Sequence, residues 1–171
     1  MANTPIHPNT RIGHVHLKVA DLERALAFYC GVLGFQLTQR FGESAAFISA
    51  GGAGNYHHHI GLNTWQSKNG PPAPAHAAGL YHVAILYPTR AELADALRRL
   101  IAANVPLDGA ADHGVSEALY LRDPDQNGVE LYWDKPREQW PFTADGQLAM
   151  VSDPLDLENL LAEPPVVAGS K

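Results

Sequence analysis

The sequence predicts an α+β fold made of two tandem βαβββ modules. Two observations support this prediction: the order of the secondary-structure elements repeats, and the two repeats begin with the same dipeptide. His14-Val15 and His82-Val83 each open a strand that a helix follows, with an offset of 68 residues between them. About three strand candidates follow each helix. A fixed offset with the same element order is typical of a duplicated module.

The expected organisation has five parts. They are an N-terminal arm (1–10), a first βαβββ module (11–66), a linker (67–79), a second βαβββ module (80–136) and a C-terminal extension with a short helix (137–171). The linker contains three prolines and two glycines without any hydrophobic periodicity, which is typical of a surface loop.

The first module begins with residues 11–20, where apolar and polar residues alternate as in a half-buried strand. Asp21 is the predicted N-cap of a helix, because the next apolar residues recur at helical spacing. Three further strands are predicted at residues 35–40, 45–50 and 55–65.

The second module repeats this order, with a strand at 80–87 and a capping box at Thr89–Glu92 that opens the next helix. Three more strands are predicted at 105–107, 117–122 and 128–133. Pro154 is expected at the first position of a short terminal helix. Proline is tolerated there because the N–H group at that position has no partner within the helix.

Composition limits the classes of partner. The chain has 171 residues, of which 46% are hydrophobic and 18% charged, as in a globular protein with a real core. A formal net charge of −6 gives no basic surface for nucleic acid or for a membrane, so we expect neither partner. One cysteine and no long apolar run favour a cytoplasmic protein. Its acidic surface and exposed sheet edges are compatible with a homo-oligomer.

Glu130 is the most informative single residue. It follows a turn rich in Asp, Pro, Asn and Gly, and it lies between Val129 and Leu131 in a predicted strand. A carboxylate at such a position must be solvated, paired with a cation or bound to a metal.

His14 and His82 occupy equivalent positions of the two repeats. If the modules pair through pseudo-symmetry, their first strands lie side by side, and both imidazoles converge with Glu130. Two histidines and one carboxylate form a facial triad that suits Fe(II) and leaves coordination positions open. The alternative is that each histidine is an ordinary core or surface residue.

Two segments carry a family resemblance. Residues 12–22 (Ile-Gly-His-Val-His-Leu-Lys-Val-Ala-Asp-Leu) and 123–131 (Asp-Pro-Asp-Gln-Asn-Gly-Val-Glu-Leu) resemble the vicinal oxygen chelate superfamily. That superfamily includes glyoxalase I, bleomycin-resistance proteins and type I extradiol dioxygenases, and the resemblance covers about residues 11–134. It implies an open, cup-shaped mixed β-sheet barrel around a divalent metal held by His14, His82 and Glu130.

Three other residues make the chain most similar to catechol 2,3-dioxygenase-like proteins. The resemblance implies that His58 lies over the oxygen site, with His59 as the alternative by one residue of register. It also implies that His113 hydrogen-bonds a substrate oxygen and that Tyr120 lies near the ring-cleavage intermediate. The alternatives are a polar edge strand at 57–59, a solvated loop histidine and a core aromatic residue.

The resemblance therefore implies an extradiol (meta) ring-cleavage dioxygenase that acts on catechol-like aromatic diols with Fe(II) and O₂. Mn, Zn and Ni are the alternative metals, and no residues for a separate organic cofactor are assigned. One alternative function is a glyoxalase-like, metal-dependent isomerase or lyase. Another is a non-catalytic resistance protein that sequesters a ligand; such proteins typically lack the metal triad.

Overall fold

The computed structural model describes residues 4–166, which form two open, mixed β-sheets flanked by short helices. The first sheet has the strand order β1-β4-β3-β2, with bounds β1 Val15–Lys18, β2 Gln36–Phe41, β3 Ala45–Ser49 and β4 Ile60–Asn63. The second has the order β5-β8-β7-β6-β9, with bounds β5 Val83–Leu86, β6 Leu107–Asp112, β7 Ser116–Arg122, β8 Gly128–Asp134 and β9 Asp153–Pro154.

The two sheets share one topology in their first four strands. In each, the first strand pairs in parallel with the fourth, and the remaining pairs are antiparallel. The predicted α+β fold with a repeated βαβββ order is therefore confirmed.

The helix of each module begins where the sequence predicts, and a third helix follows the second module. The three helices are α1 Leu22–Leu26, which continues as a π-helical turn over Ala27–Val32, α2 Arg90–Ala102 and α3 Leu157–Leu161. Asp21 Oδ1 accepts a hydrogen bond from the Arg24 N–H, and Thr89 Oγ1 accepts one from the Glu92 N–H. These bonds satisfy backbone donors that the first turn of a helix leaves unpaired. None of the helices within residues 4–166 is both long enough and apolar enough to cross a bilayer.

Several predicted boundaries are wrong. The strand predicted at 105–107 begins only at Leu107 and continues to Asp112 as β6, where it pairs with β7. The strand predicted at 55–65 begins only at Ile60, so the three histidines at 57–59 precede β4. The terminal helix begins after Asp156 instead of at Pro154, because the Asp156 carboxylate caps it. Asp153–Pro154 instead add a short edge strand to β6, a position that tolerates a residue without an N–H donor.

A single hydrophobic cluster joins the two modules. It contains the buried faces of α1 and α2 together with residues from both sheets and from α3; its fully or almost fully buried members include Val19, Tyr29, Ile48, Leu62, Leu93, Leu100, Leu119, Leu131 and Leu160. Because the cluster is continuous, neither module buries its apolar face alone.

The turn between β7 and β8 is held by hydrogen bonds within itself and to the first module. Asp123 Oδ1 accepts the N–H groups of Asp125 and Asn127, both at 2.8 Å, and Oδ2 accepts the Asn127 side-chain amide at 2.9 Å. Oδ2 also accepts the hydroxyl of Tyr29, which lies at 3.0 Å on the first module's helix. Burial is the largest influence and raises the pKa of Asp123, although these four donors act against it.

Asp125 makes a second link between the modules. Its Oδ1 accepts the backbone N–H of Ala20 at 2.9 Å and the Arg24 guanidinium at 2.7 Å. Both donors belong to the junction between β1 and α1, so the β7–β8 turn holds the end of the first strand of the other module.

Tyr29→Phe should destabilise the fold by about 1–3 kcal/mol, because the variant removes one of the two donors to the buried Oδ2 of Asp123. The measurement is urea unfolding of both proteins. Tyr81→Phe is the matched control, since Tyr81 is 78% exposed and should change stability by less than about 0.5 kcal/mol. Equal effects of the two variants would contradict the bridging role of the Tyr29 hydroxyl.

Candidate metal centre

Neighbouring strands bring His82 and Glu130 together. His82 immediately precedes β5, and parallel pairing places Ala84 of β5 opposite Glu130 of β8. At the start of β8, a Cβ on Gly128 would lie 2.0 Å from the Tyr81 carbonyl oxygen. Only glycine permits that close approach of the two chains. As a result, His82 Nε2 lies 2.9 Å from Glu130 Oε2.

The donor atoms of this pair fit a divalent metal ion. In octahedral coordination, adjacent ligand atoms that each lie about 2.1 Å from the ion are about 3 Å from each other, and His82 Nε2 and Glu130 Oε2 are 2.9 Å apart. The Glu130 side chain is only 12% exposed. His82 Nδ1 is buried and has no hydrogen-bond partner within residues 4–166. Imidazole with carboxylate is a donor set that binds Fe, Mn, Zn or Ni.

His14 lies apart from this pair. It precedes β1 just as His82 precedes β5, and it lines a cavity of about 300 Å³ together with Val83 and Ala84. Within residues 4–166, no three His, Cys, Asp or Glu side chains are close enough to hold one ion. The structure therefore joins two of the three predicted ligands and places the third in the cavity between the first strands of the two modules.

The histidines before β4 have different environments. The His58 ring lies 4.5 Å from that of His14, between centroids, and its Nδ1 lies 2.7 Å from His57 Nδ1. Burial, followed by the nearby His14, lowers the pKa of His58. His59 Nδ1 instead accepts the Ala50 N–H at 3.2 Å and contacts the Ser49 hydroxyl at 2.9 Å. His58 is thus the one beside His14, while His59 is fixed to the first sheet.

Tyr120 and His113 form a hydrogen-bonded pair next to His82 and Glu130. The Tyr120 hydroxyl lies 2.6 Å from His113 Nε2, and antiparallel pairing of β7 with β8 places Tyr120 opposite Glu130. The rings of Tyr120 and His82 are 5.9 Å apart between centroids. Burial, followed by the negative charge of Glu130, raises the pKa of Tyr120 to about 12, so this tyrosine is protonated at neutral pH.

A second cavity, of about 350 Å³, opens beside these groups. Its walls include Tyr81, His82, His113 and Tyr120, and the C-terminal segment contributes Ser152. The sequence did not point to Ser152, because no motif in the C-terminal extension marks it. The arrangement presents the His82 imidazole and a phenol–imidazole pair to one space large enough for a small ligand.

An ion pair supports the loop that carries His113. Lys135 Nζ lies 2.7 and 2.6 Å from the two carboxylate oxygens of Asp112, and the Gly114 N–H donates to Asp112 Oδ1 at 2.8 Å. Burial raises the pKa of Asp112, but the Lys135 ammonium and the Gly114 N–H outweigh it, so the pKa lies below its ordinary value.

The folded chain is a paired βαβββ protein with a candidate metal centre in its second sheet, and proteins of known structure share this fold. Residues 11–131 match the family model of the Glyoxalase/Bleomycin resistance protein/Dioxygenase superfamily. The chain belongs to this superfamily.

Curated relatives include catechol-2,3-dioxygenase of Bacillus subtilis (strain 168), which is 41% identical over 161 residues, covering 94% of this chain and 54% of the relative. Biphenyl-2,3-diol 1,2-dioxygenase 2 of Rhodococcus globerulus is 31% identical over 124 residues, covering 72% of this chain and 63% of that protein. The chain therefore spans between about half and two thirds of the length of these relatives.

Solved structures share the fold. A glyoxalase/dioxygenase from Nostoc punctiforme gives a TM-score of 0.60 at 18% identity, covering 80% of this chain and all (100%) of that one. Lactoylglutathione lyase from Agrobacterium tumefaciens gives 0.57 at 24% identity, covering 74% and 96%. At these identities the likeness concerns the fold alone.

Lys135→Met should reduce stability at neutral pH and have less effect in acid. Because the folded pKa of Asp112 is depressed, its contribution is present above the ordinary aspartate pKa, about 3.9, and is lost as the pH falls through the folded value. Urea unfolding of both proteins from pH 7 down to pH 2.5 measures this. A difference in stability that stays constant across that range would contradict the assigned role of the pair.

Proposed function

We propose that this chain is an Fe(II)-dependent extradiol dioxygenase that opens the ring of catechol-like aromatic diols. The single observation that carries the proposal is that His82, which is paired with Glu130, lines one cavity together with the hydrogen-bonded Tyr120 and His113. The similarity to proteins named as catechol and biphenyl-diol dioxygenases supports the reaction class.

His82 and Glu130 would hold the metal from the second sheet, with His14 as the third ligand from the first. His14 lines the cavity between β1 and β5, so this role requires its side chain to reach toward His82 across that space. Bound Fe(II) would supply open coordination positions and the one-electron chemistry that reaction with O₂ requires.

The chain's own residues would orient the substrate and handle protons. The cavity wall formed by Tyr120 and His113 offers hydrogen-bonding groups for a diol oxygen. In the first module, His58 lies beside His14, and its lowered pKa keeps the His58 imidazole neutral near pH 7. A neutral imidazole there can accept a proton from one reacting group and return it to another.

A glyoxalase-type site would need a further protein ligand on the fourth strand of the first module. β4 has the sequence Ile-Gly-Leu-Asn and carries no carboxylate. Without a carboxylate on β4, the candidate donors are those of the proposed triad, including His82 and Glu130. The dioxygenase is therefore the function that the geometry supports best.

Glu130→Ala should abolish ring cleavage and weaken metal binding by at least roughly 100-fold, because it removes a ligand and not only an outer partner. The protein is reconstituted anaerobically with Fe(II), its metal content is measured, and catechol and air are added. A coloured ring-fission product is expected from the parent protein and from the control Glu138→Ala, whose side chain is exposed. Turnover retained in Glu130→Ala, or equal product from Zn-loaded protein, would overturn the proposal.

His58→Phe should lower kcat and leave the protein folded, since an aromatic ring can pack in the same way against His14, His57 and Phe47. His59→Phe should instead lower the unfolding midpoint, because it removes the acceptor of the Ala50 N–H. Steady-state kinetics on the folded fraction of each variant separates the two roles. Normal turnover in His58→Phe with inactive but folded His59→Phe would assign the role to His59.

A further inference from the structure

The segment that follows the second module packs against the wall of the candidate site. Residues 141–156, here called the C-terminal strap, form a tight hairpin bridged between Phe142 and Leu148 and then pair with β6 through β9. Pro141 and Val151 pack so closely against Gly114 that a Cβ on that glycine would lie 2.9 Å from Pro141 Cγ. The strap thus lies directly beside the residue that follows His113.

The backbone N–H and carbonyl groups of Val151 both form hydrogen bonds with His113. The Val151 N–H donates to the His113 carbonyl oxygen at 3.1 Å, and the Val151 carbonyl oxygen lies 2.9 Å from His113 Nδ1. A carbonyl oxygen only accepts hydrogen bonds, so His113 Nδ1 must carry a proton to make this contact. In a neutral imidazole, Nε2 is then left as an acceptor.

We propose that Val151 is a positioning residue whose carbonyl group fixes His113 in its Nδ1–H tautomer, so that His113 Nε2 accepts the Tyr120 hydroxyl proton. The 2.6 Å distance between Nε2 and the Tyr120 oxygen is that of a short hydrogen bond in this direction. The role of this pair in turnover rests on the proposed function, whereas the tautomer itself does not.

The direction of the Tyr120 hydroxyl matters because it has two acceptors within reach. Tyr120 lies opposite Glu130 in the β7–β8 pair, and the Glu130 carboxylate is the other group positioned to take its hydrogen bond. One hydroxyl has one proton to donate. Donation to His113 leaves the Glu130 oxygens available to a metal and leaves the Tyr120 oxygen able to accept a hydrogen bond from a diol.

The helix that follows the strap, α3, is fixed to the second module. Arg90 of α2 bonds Glu117 at 2.7 Å, Glu163 at 2.8 Å and Asn159 at 2.9 Å, which links the second sheet to α3 and the residues after it. Leu160 is fully buried against the same core. The C-terminal end of the strap is therefore held by α3.

The test is ¹⁵N NMR of the full-length, metal-free protein with labelled histidine, near pH 8, where a free histidine is neutral. His113→Asn identifies the two ring-nitrogen signals by their loss. We expect His113 Nδ1 to give the resonance of a protonated nitrogen and Nε2 that of an unprotonated one. Protonation on Nε2 alone, or on both nitrogens, would overturn the proposal.

Tyr120→Phe identifies which neighbour sets the tautomer. Since the Val151 carbonyl is unchanged in this variant, both His113 resonances should keep their protonated and unprotonated positions. A shift to a tautomer mixture would show that Tyr120 selects the tautomer and that Val151 does not. Neither result depends on metal loading or on ring cleavage, so a failure of the proposed function remains distinguishable from a failure of this inference.

Discussion

The carboxylates of the β7–β8 turn are the constraint on which the rest of the structure depends. Asp123 organises the turn through two backbone N–H groups and the Asn127 amide, and its remaining hydrogen bond comes from Tyr29 of the first module. Asp125 holds the junction of β1 and α1. One short turn therefore fixes the start of β8, which carries Glu130, and binds the two modules to each other. Since burying a carboxylate without donors is costly, these bonds exist only when both modules are in place.

The candidate site follows from that constraint. Once the turn sets β8, the missing side chain of Gly128 lets the strand pass close to the Tyr81 carbonyl, and His82 then meets Glu130. The carboxylate that interrupts an apolar strand is thereby given an imidazole partner, and Tyr120 lies opposite it on the neighbouring strand. Chain segments far apart in sequence reach one cavity because each is tied to the same sheet.

Much of this was predictable from local chemistry. Caps at Asp21 and Thr89, the alternating strands and the 68-residue offset of the repeat all depend on near neighbours, and they gave the fold class. The errors came from interactions at long range. Pro154 satisfies the local rule for a helix start, but it pairs with β6 as part of an edge strand. His59 lies outside β4, and its ring is hydrogen-bonded to Ser49 and Ala50. The contact with His113 uses only backbone atoms of Val151, so no pattern of side chains could indicate Val151.

We propose that His82 and Glu130 belong to a metal centre that His14 completes from the other module. Anomalous diffraction at the iron edge, from crystals of the Fe(II)-loaded chain, locates the ion directly. The account predicts one ion within coordination distance of His82 Nε2 and a Glu130 oxygen, with His14 as its third protein ligand. An ion bound elsewhere, for example between His57 and His58, with the His82–Glu130 contact unchanged, would contradict it.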